Sequence, residues 1–167
     1  VFAAADLLAM ADPQESAGFI PIESGFDAQA AALLSGWTSF LGYDDSNEMV
    51  ASLRADEQVD LHGVTLNDEL IVAIATRHVH LMDELVAIAV REDFRGHGIG
   101  ELALADTIRR SGRRPLVVEC PDEIRPWFLK KGFKMVGRRK GTNGEVRFRL
   151  GAHAPRQTTQ QTEENPE

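Results

Sequence analysis

The sequence predicts an α+β domain built around one sheet. Strand-like and helix-like segments follow each other in a mixed order, and only one stretch has the strand–loop–helix–strand order of a parallel crossover unit. The 167 residues suit a single domain with a real core. A hydrophobic content of 43% and a charged content of 26% are typical of globular proteins.

Each predicted element has a local reason. The predicted elements are, in chain order, a short strand over 18–24, helices over 27–43 and 44–57, strands over 58–66, 69–79 and 84–92, a helix over 100–112, a strand over 114–120, a short helix over 121–132 and a hairpin over 133–151. Asp27 is a plausible N-cap for the first helix, and Asp45 or Ser46 for the second. Gly112 is a natural stop for the helix after the glycine-rich loop. The sequence Thr-Asn-Gly supplies the turn of the final hairpin.

The chain divides into three parts. Residues 1–17 read as an N-terminal extension that can form a helix, and residues 18–151 as the folded domain. Residues 152–167 contain no large apolar side chains that could pack into a core, so we expect a disordered C-terminal tail.

Charge is distributed unevenly along the chain. The net charge is −8, but residues 1–90 carry −13 whereas residues 91–150 carry +7. This asymmetry indicates that the second half meets an anion and that the first half tolerates a cation, unless both are simply solvated surface. Nucleic acid is a disfavoured partner because the acidic half would repel a long polyanion.

The single cysteine, Cys120, excludes an intramolecular disulfide and a cysteine-based zinc site, which favours a cytoplasmic protein. No run of 18 or more apolar residues is present, so we expect no membrane span.

The most informative stretch is AVREDFRGHGIGELAL, residues 89–104, where a strand runs through a glycine-rich loop into a helix. Free backbone N–H groups and the positive end of the helix dipole lie at such a helix start. Gly96, Gly98 and Gly100 let a ligand approach these groups, and Arg95 adds positive charge. The loop therefore predicts a phosphate-binding site, called the cradle below, and a pyrophosphate is the ligand that fits it best.

Two other interpretations of this loop remain open at this point. Gly98, Gly100 and Ala103 satisfy the dinucleotide pattern G-x-G-x-x-A, with Glu119 at the end of the next strand. The intervening REDFRGH and the single crossover unit argue against that pattern. The glycines can also serve only a tight turn. A P-loop is excluded because no Gly-Lys-Ser/Thr follows.

IAVREDFRGHGIGELAL resembles the acyl-CoA-binding motif of the GNAT-type N-acetyltransferase superfamily. Arg95, Gly98 and Gly100 fill the three defined positions of its R/Q-x-x-G-x-G/A element. Farther on, VVECPDEIRPWFLKKGFKMVGRR resembles the second signature of that superfamily, with Gly132 and Phe133 in its K-x-G-F element. The resemblance implies a mixed, mostly antiparallel sheet, splayed between two central parallel strands and flanked by helices.

The resemblance also implies acetyl-CoA as co-substrate. The pantetheine arm is expected to lie along the strand that ends at Val90, as an added strand would, and the pyrophosphate on the loop. The implied binding residues are Ile88, Ala89, Val90, Arg95, Gly96, His97, Gly98, Ile99, Gly100, Glu101, Phe128 and Lys131.

The implied reaction is the direct transfer of an acetyl group to a primary amine. In several members of the superfamily the general base is a Glu four residues before the apolar-Ala-Val stretch, which is Glu84 here. Strand alternation places Glu84 on the same face as Val86 and Ile88. Asp83 and Glu119 are the alternatives for the base, and the backbone N–H of Ile88 is the implied oxyanion donor.

One position departs from the pattern of the superfamily. Many members carry a Tyr that protonates the leaving thiolate, and Phe128 stands at that position. The thiolate then leaves unassisted, or Cys120 or a water supplies the proton. The rival interpretation is a CoA-binding or regulatory module without catalysis.

The acceptor is less determined. Asp44 and Asp45 suggest a pocket for a cationic amine, carried by a small molecule or a protein, and a homodimer is compatible with the resemblance. His78 and His80, predicted to share a strand face near Asp83, form a weak alternative as metal ligands, and we expect no metal in the site.

Overall fold

A computed structural model describes residues 19–153. The predicted extension over 1–17 and nearly all of the predicted tail over 152–167 lie outside these residues. The strands are β1 (Ile20–Pro21), β2 (Val59–Leu66), β3 (Glu69–Val79), β4 (Met82–Val90), β5 (Leu116–Cys120), β6 (Lys134–Lys140) and β7 (Val146–Ala152), and the α-helices are α1 (Asp27–Leu33), α2 (Ser46–Ala55), α3 (Ile99–Ser111) and α4 (Arg125–Lys130). Short 3-10 helices cover Ser24–Phe26, Leu34–Trp37 and Glu92–Phe94.

All seven strands form one sheet, in the order β1-β2-β3-β4-β5-β7-β6. Neighbouring strands are antiparallel except β4 and β5, which are parallel. Helices α1 and α2 pack on one face, the α1/α2 face, whereas α3 and α4 pack on the other, the α3/α4 face. The prediction of an α+β domain with a mixed, mostly antiparallel sheet is confirmed.

The parallel contact between β4 and β5 is short. It consists of three residue pairs, from Asp83 opposite Leu116 to Leu85 opposite Val118. β4 then continues to Val90 with no residue of β5 paired to it, whereas β5 continues to Cys120 and pairs with β7 along its whole length on the other edge. The two central strands therefore splay apart after Leu85, as the resemblance implied.

A β-bulge interrupts β4 just where the splay begins. Ala87 pairs with Ala75, but Leu85 pairs with Thr76, which leaves Val86 without a partner in β3. Because directly paired residues share a face and neighbours alternate, this extra residue reverses the alternation of β4. Glu84 consequently shares the α1/α2 face with Ala87, not the face of Ile88. The predicted alternation that grouped Glu84 with Ile88 is wrong for this reason.

The first helices differ from the prediction in their ends. α1 stops at Leu33 and tightens into a 3-10 segment, since Ser35 and Gly36 are weak helix formers. Asp27 is the first helical residue and not the cap, and its carboxylate is bound by Arg54 at 2.6–3.0 Å. Asp45 does cap α2, accepting from the N–H groups of Asn47 and Glu48 at 2.7 and 2.9 Å.

The core fills the space between the sheet and both helical layers. Leu34 and Met49 are fully buried on the α1/α2 face, and Leu85, Leu104 and Phe128 contribute to the same continuous cluster. Such burial stabilises the domain by roughly 1.5–3 kcal/mol for each large side chain. Over residues 19–153 no helix is both long and apolar enough to cross a membrane.

Gly63 of β2 is a steric requirement of the sheet, because a Cβ there would collide with the carbonyl oxygen of Val72 and lie 3.0 Å from Leu70 Cδ1. We expect Gly63→Ala to lower the free energy of unfolding by about 1–3 kcal/mol in urea titrations. The matched control is Gly25→Ala, since open space surrounds a Cβ at Gly25. A Gly63→Ala protein as stable as this control would contradict the close approach of β2 and β3 at Gly63.

Candidate active site

The splay of β4 and β5 opens a cleft of about 990 Å³. This volume lies in the range of small-molecule sites. Its walls are the end of β4, the glycine-rich loop, the start of α3, helix α4, and the end of α1 together with the 3-10 helix that follows it. The lining residues are Ala32, Leu33, Ser35, Gly36, Trp37, Ile88, Ala89, Val90, Arg91, Glu92, Phe94, Arg95, Gly96, Gly98, Ile99, Gly100, Glu101, Ile124, Trp127, Phe128 and Lys131.

The backbone of β4 turns its hydrogen-bonding groups into this cleft. The N–H of Arg91 donates to the carbonyl of Ile71 at 2.8 Å, which makes this pair a hydrogen-bonded one of the antiparallel ladder. Pairs alternate, so Ile88 and Val90 belong to non-hydrogen-bonded pairs and direct their N–H and C=O groups away from β3. Both residues therefore face the gap beyond the last β4–β5 pair.

Two side chains take the carbonyl groups at this edge. The indole Nε1 of Trp37 donates to the carbonyl of Ile88 at 2.9 Å, and Arg95 Nε donates to the carbonyl of Val90 at 2.9 Å. The strand consequently presents mainly N–H donors to a ligand in the cleft. Trp37 was not among the site residues predicted from the sequence; the signal was an indole N–H that needs an acceptor when buried.

The glycine-rich loop ends in a left-handed turn. Gly96 and Gly98 have φ values of +79° and +78°, and a Cβ at either would project into open space. Gly98 precedes α3 without a side-chain cap, and the first intrahelical bond runs from Leu102 N to Gly98 O at 3.1 Å. The N–H groups of Ile99, Gly100 and Glu101 precede that bond, so the helix start suits an anion.

Contacts between α3 and α4 close the other side of the cleft. A Cβ on Gly100 would lie 3.3 Å from Trp127 Cζ2, so glycine allows the indole to pack against the helix start. Lys131 Nζ pairs with Glu101 Oε2 at 2.9 Å. His97 lies outside the lining, with its Nδ1 2.9 Å from the carbonyl oxygen of Arg95.

Glu84 lies outside the cleft lining, on the α1/α2 face beside it. Its Oε2 is 3.5 Å from Nη1 of Arg77. The Nε of the same arginine lies 3.3 Å from Asp56 Oδ2. The Glu84 carboxylate is about one third exposed and is held by its long contact with Arg77 alone among the described ion pairs. Glu84 is thus open to a further partner.

The two alternative bases are more strongly engaged. Asp83 is buried on the α3/α4 face, where His78 Nδ1 and Arg114 Nε lie 3.0 and 3.2 Å from its Oδ1. Glu119 receives two bonds from Arg139, at 2.5 and 2.9 Å. These bonds lower the pKa of Glu119, which makes it a weaker base.

The described structure offers no side-chain acid in the position of the superfamily's Tyr. Phe128 is fully buried, with edge contacts to Trp127 and Phe133 at ring-centroid distances of 4.9 and 5.2 Å. Burial raises the pKa of the Cys120 thiol to about 11, and Cys120 is absent from the cleft lining. Of the two proton donors expected from the sequence, a water is therefore the one that remains.

The residues considered for a cationic pocket and for a metal are placed differently from expectation. The Asp45 carboxylate is used as a helix cap, and Asp44 is exposed beside it. His78 bridges Asp60 at 2.6 Å and Asp83 at 3.0 Å, whereas His80 lies in the turn after β3. Over residues 19–153 no group of three or more His, Cys, Asp or Glu is arranged to hold a metal ion.

Comparison with known proteins identifies the fold. An aminoglycoside 6'-N-acetyltransferase complexed with coenzyme A matches at a TM-score of 0.65 and 16% identity, over 83% of this chain and 98% of that one. The ribosomal-protein-S18-alanine N-acetyltransferase from Escherichia coli matches at 0.62 and 19%, over 83% and 96%. An acetyl-CoA-bound GNAT family acetyltransferase from Elizabethkingia anophelis matches at 0.60 and 22%, over 81% and 97%.

This chain therefore has the fold of the GNAT acetyltransferases, with its splayed parallel strands in one mixed sheet. No protein-family model matches the sequence, and no curated protein matches it.

The bridge from His78 to Asp60 and Asp83 predicts a pH dependence of stability. Hydrogen bonds that the His78 ring donates to Asp60 and, second in size, to Asp83 raise the pKa of His78. Its stabilising contribution is therefore complete below the unfolded value of about 6.5 and is lost as pH rises through the folded value. In urea titrations from pH 5.5 to 8.5, wild type should lose more stability than His78→Gln.

The exposed His80 provides the control, since His80→Gln should keep the wild-type pH dependence. Salt should weaken the effect, because about half of the His78 side chain is exposed. Parallel pH profiles for wild type and His78→Gln would contradict the bridge.

Proposed function

We propose that this protein transfers an acetyl group from acetyl-CoA directly to a primary amine. The observation that carries this proposal is the cleft, in which the N–H groups of Ile88 and Val90 converge with the uncapped start of α3. A strand edge that donates hydrogen bonds, next to an anion-binding helix start, matches a ligand with amide and pyrophosphate groups. Neighbours of the same fold crystallised with coenzyme A or acetyl-CoA support it.

The residues that would hold acetyl-CoA fit this ligand. The open space over Gly96 and Gly98 leaves room for phosphate oxygens next to the N–H groups of Ile99, Gly100 and Glu101. The N–H of Val90, which points away from β3, is the group that we assign to a pantetheine carbonyl. Arg95, tied to the carbonyl of Val90, holds the loop against the strand and adds positive charge.

The chemistry requires a neutral amine and a stabilised oxyanion. The amine nitrogen forms a bond to the thioester carbonyl carbon, and the carbonyl oxygen becomes negative. The N–H of Ile88 is the group that we assign to this oxygen; one such donor is worth roughly 3 kcal/mol. The attacking nitrogen, now positively charged, gives up a proton, the C=O bond re-forms, and the C–S bond breaks so that the sulfur leaves as a thiolate.

We assign that proton to Glu84. Its carboxylate keeps one long contact with Arg77, whereas Asp83 is buried on the opposite face and Glu119 is bound twice by Arg139. Since a base needs a free lone pair within reach of the amine, Glu84 is the better candidate. The α1/α2 face, which Glu84 shares, is then the side from which the acceptor enters.

The leaving thiolate takes its proton from water in this scheme. Phe128 carries no acidic hydrogen, and Cys120 does not line the cleft. A thiolate is only a weak base, since the thiol of a free cysteine has a pKa of about 8.5. It can therefore leave without a side-chain acid.

The rival function is a CoA-binding module without catalysis, which Phe128 favours. An assay of free thiol over a panel of amines separates the two functions. Thiol release that depends on an amine supports the transferase. An acetyl-CoA thermal shift without release from any amine supports the module, and no thermal shift at millimolar acetyl-CoA contradicts both.

Gly98→Ala should weaken acetyl-CoA binding. Its φ of +78° makes any side chain there strained, and the new methyl would occupy the cradle. The matched control is Gly112→Ala at the other end of α3, where φ is +61° and a Cβ also meets open space. Gly98→Ala should lower the free energy of unfolding by about 1–2 kcal/mol, and Gly112→Ala by at least as much because its ψ of −118° lies outside the left-handed helical region, but only Gly98→Ala should lose the acetyl-CoA thermal shift. Equal shifts would place the ligand elsewhere.

Glu84→Gln should preserve the acetyl-CoA thermal shift and lower kcat by roughly 100-fold or more, as expected for loss of a general base. Glu119→Gln is the comparison, and it should reduce kcat by less than roughly 10-fold because its carboxylate is already bound by Arg139. The kcat of each variant is measured from the rate of thiol release. Full turnover of Glu84→Gln across pH would remove Glu84 from the mechanism.

A further inference from the structure

The α1/α2 face beside the cleft carries a row of charged side chains that the proposed transfer does not fully use. Strand registers place Glu84 opposite Arg77 and Val117, Glu119 opposite Arg149, and Arg139 opposite Arg147. Residues two apart on a strand share a face, so the row consists of Arg77, Glu84, Glu119, Arg139, Arg147 and Arg149.

Most of these side chains have partners of opposite charge. Arg139 binds Glu119 through two hydrogen bonds, and Arg147 binds Glu145 at 2.6 Å. The Arg147 guanidinium also stacks on the ring of Phe40, 4.1 Å from its centroid, and donates to the Phe40 carbonyl. These two pairs are neutral and fixed, and they form a wall beside the cleft.

The remaining charges are separated. Arg77 is shared by two carboxylates, Asp56 and Glu84, so this group has one negative charge in excess. Arg149 is half-buried, and within residues 19–153 its guanidinium makes no ion pair; it contacts the Met82 sulfur, 3.3 Å from Nη2. A thioether is only a weak acceptor. Counted together with Asp56 and Glu145, the four arginines of the row balance four carboxylates, with the excess negative charge around Arg77 and the excess positive charge at Arg149.

The Met82 side chain connects the region around Glu84 with Arg149. Met82, which Arg149 contacts, is two residues before Glu84 on β4, and both side chains project from the same face. Glu84 and Arg149 nevertheless form no ion pair with each other in the described chain. Each keeps a hydrogen-bonding capacity for a ligand that carries both charges.

We propose that the acceptor is an amine that also carries a carboxylate, with its amine at Glu84 and its carboxylate at Arg149. This inference rests on the proposed transfer and specifies its substrate class. A guanidinium binds a carboxylate through two parallel N–H bonds, which are stronger than neutral ones. A zwitterion also adds no net charge to the row, whereas a polyamine would bring further positive charge next to Arg149.

The closing experiment compares acceptors that differ only in the carboxylate. The probes are ω-amino acids from glycine to 6-aminohexanoate, each against the n-alkylamine with the same number of methylene groups. Thiol release from acetyl-CoA is measured for both series. The best amino acid should have a kcat/KM roughly 10- to 100-fold above that of its alkylamine, the range expected for a hydrogen bond to a charged group.

Arg149→Met should abolish this preference by raising KM for the amino acid, while leaving the acetyl-CoA thermal shift unchanged. Arg149→Lys, which keeps the charge but loses the paired geometry, should retain part of the preference. The control is Arg113→Met, an equal change of charge at the exposed residue after α3, and it should retain the full ratio.

The outcomes are distinguishable. No thiol release from any amine would contradict the proposed transfer itself, and the acceptor class with it. Release at equal or higher rates with the alkylamines would leave the transfer intact and overturn the carboxylate. A preference that survives in Arg149→Met, with the variant folded by its melting point, would overturn the assignment to Arg149.

Discussion

The brevity of the parallel contact between β4 and β5 is the constraint on which the rest of the structure depends. After three residue pairs the strands separate, and the backbone of β4 from Ile88 to Val90 is left with its polar groups directed at the gap. Buried polar groups need partners, and here side chains serve the carbonyls while the N–H groups remain directed into the cleft. The sheet is thereby left open inside the cleft, where a ligand can extend its hydrogen bonding.

The bulge at Val86 divides β4 into two functional parts. Beyond the bulge, the backbone of Ile88 and Val90 serves the cleft, whereas before it the side chain of Glu84 projects to the α1/α2 face. A regular strand would send Glu84 to the face that α3 covers. The single extra residue thus lets one strand direct backbone N–H groups into the cleft and present a carboxylate from the opposite side of the sheet.

The sequence was informative wherever a local pattern had a physical cause. Alternating apolar residues and glycine turns predicted the strands and the start of α3, whereas the splayed sheet followed from the resemblance of the glycine-rich motif to a known family. Asp45 was one of the two residues predicted to cap α2, and it does so. The bulge at Val86 was not predictable because it depends on the pairing with β3, which no local pattern encodes. Trp37 was not predicted as a residue of the cleft because its hydrogen-bond partner, Ile88, lies 51 residues away in the sequence. The charge balance around Arg149 requires strand registers, and the acidic excess of residues 1–90 concealed it.

The bond from Trp37 to Ile88 has a mechanical consequence. It ties the 3-10 segment after α1 to the backbone of β4, so that two walls of the cleft share one hydrogen bond. If the proposed transfer holds, an acceptor that moves Trp37 breaks this bond and frees the Ile88 carbonyl beside the acetyl-CoA site. By thermodynamic reciprocity, each substrate would then change the affinity for the other by the same factor.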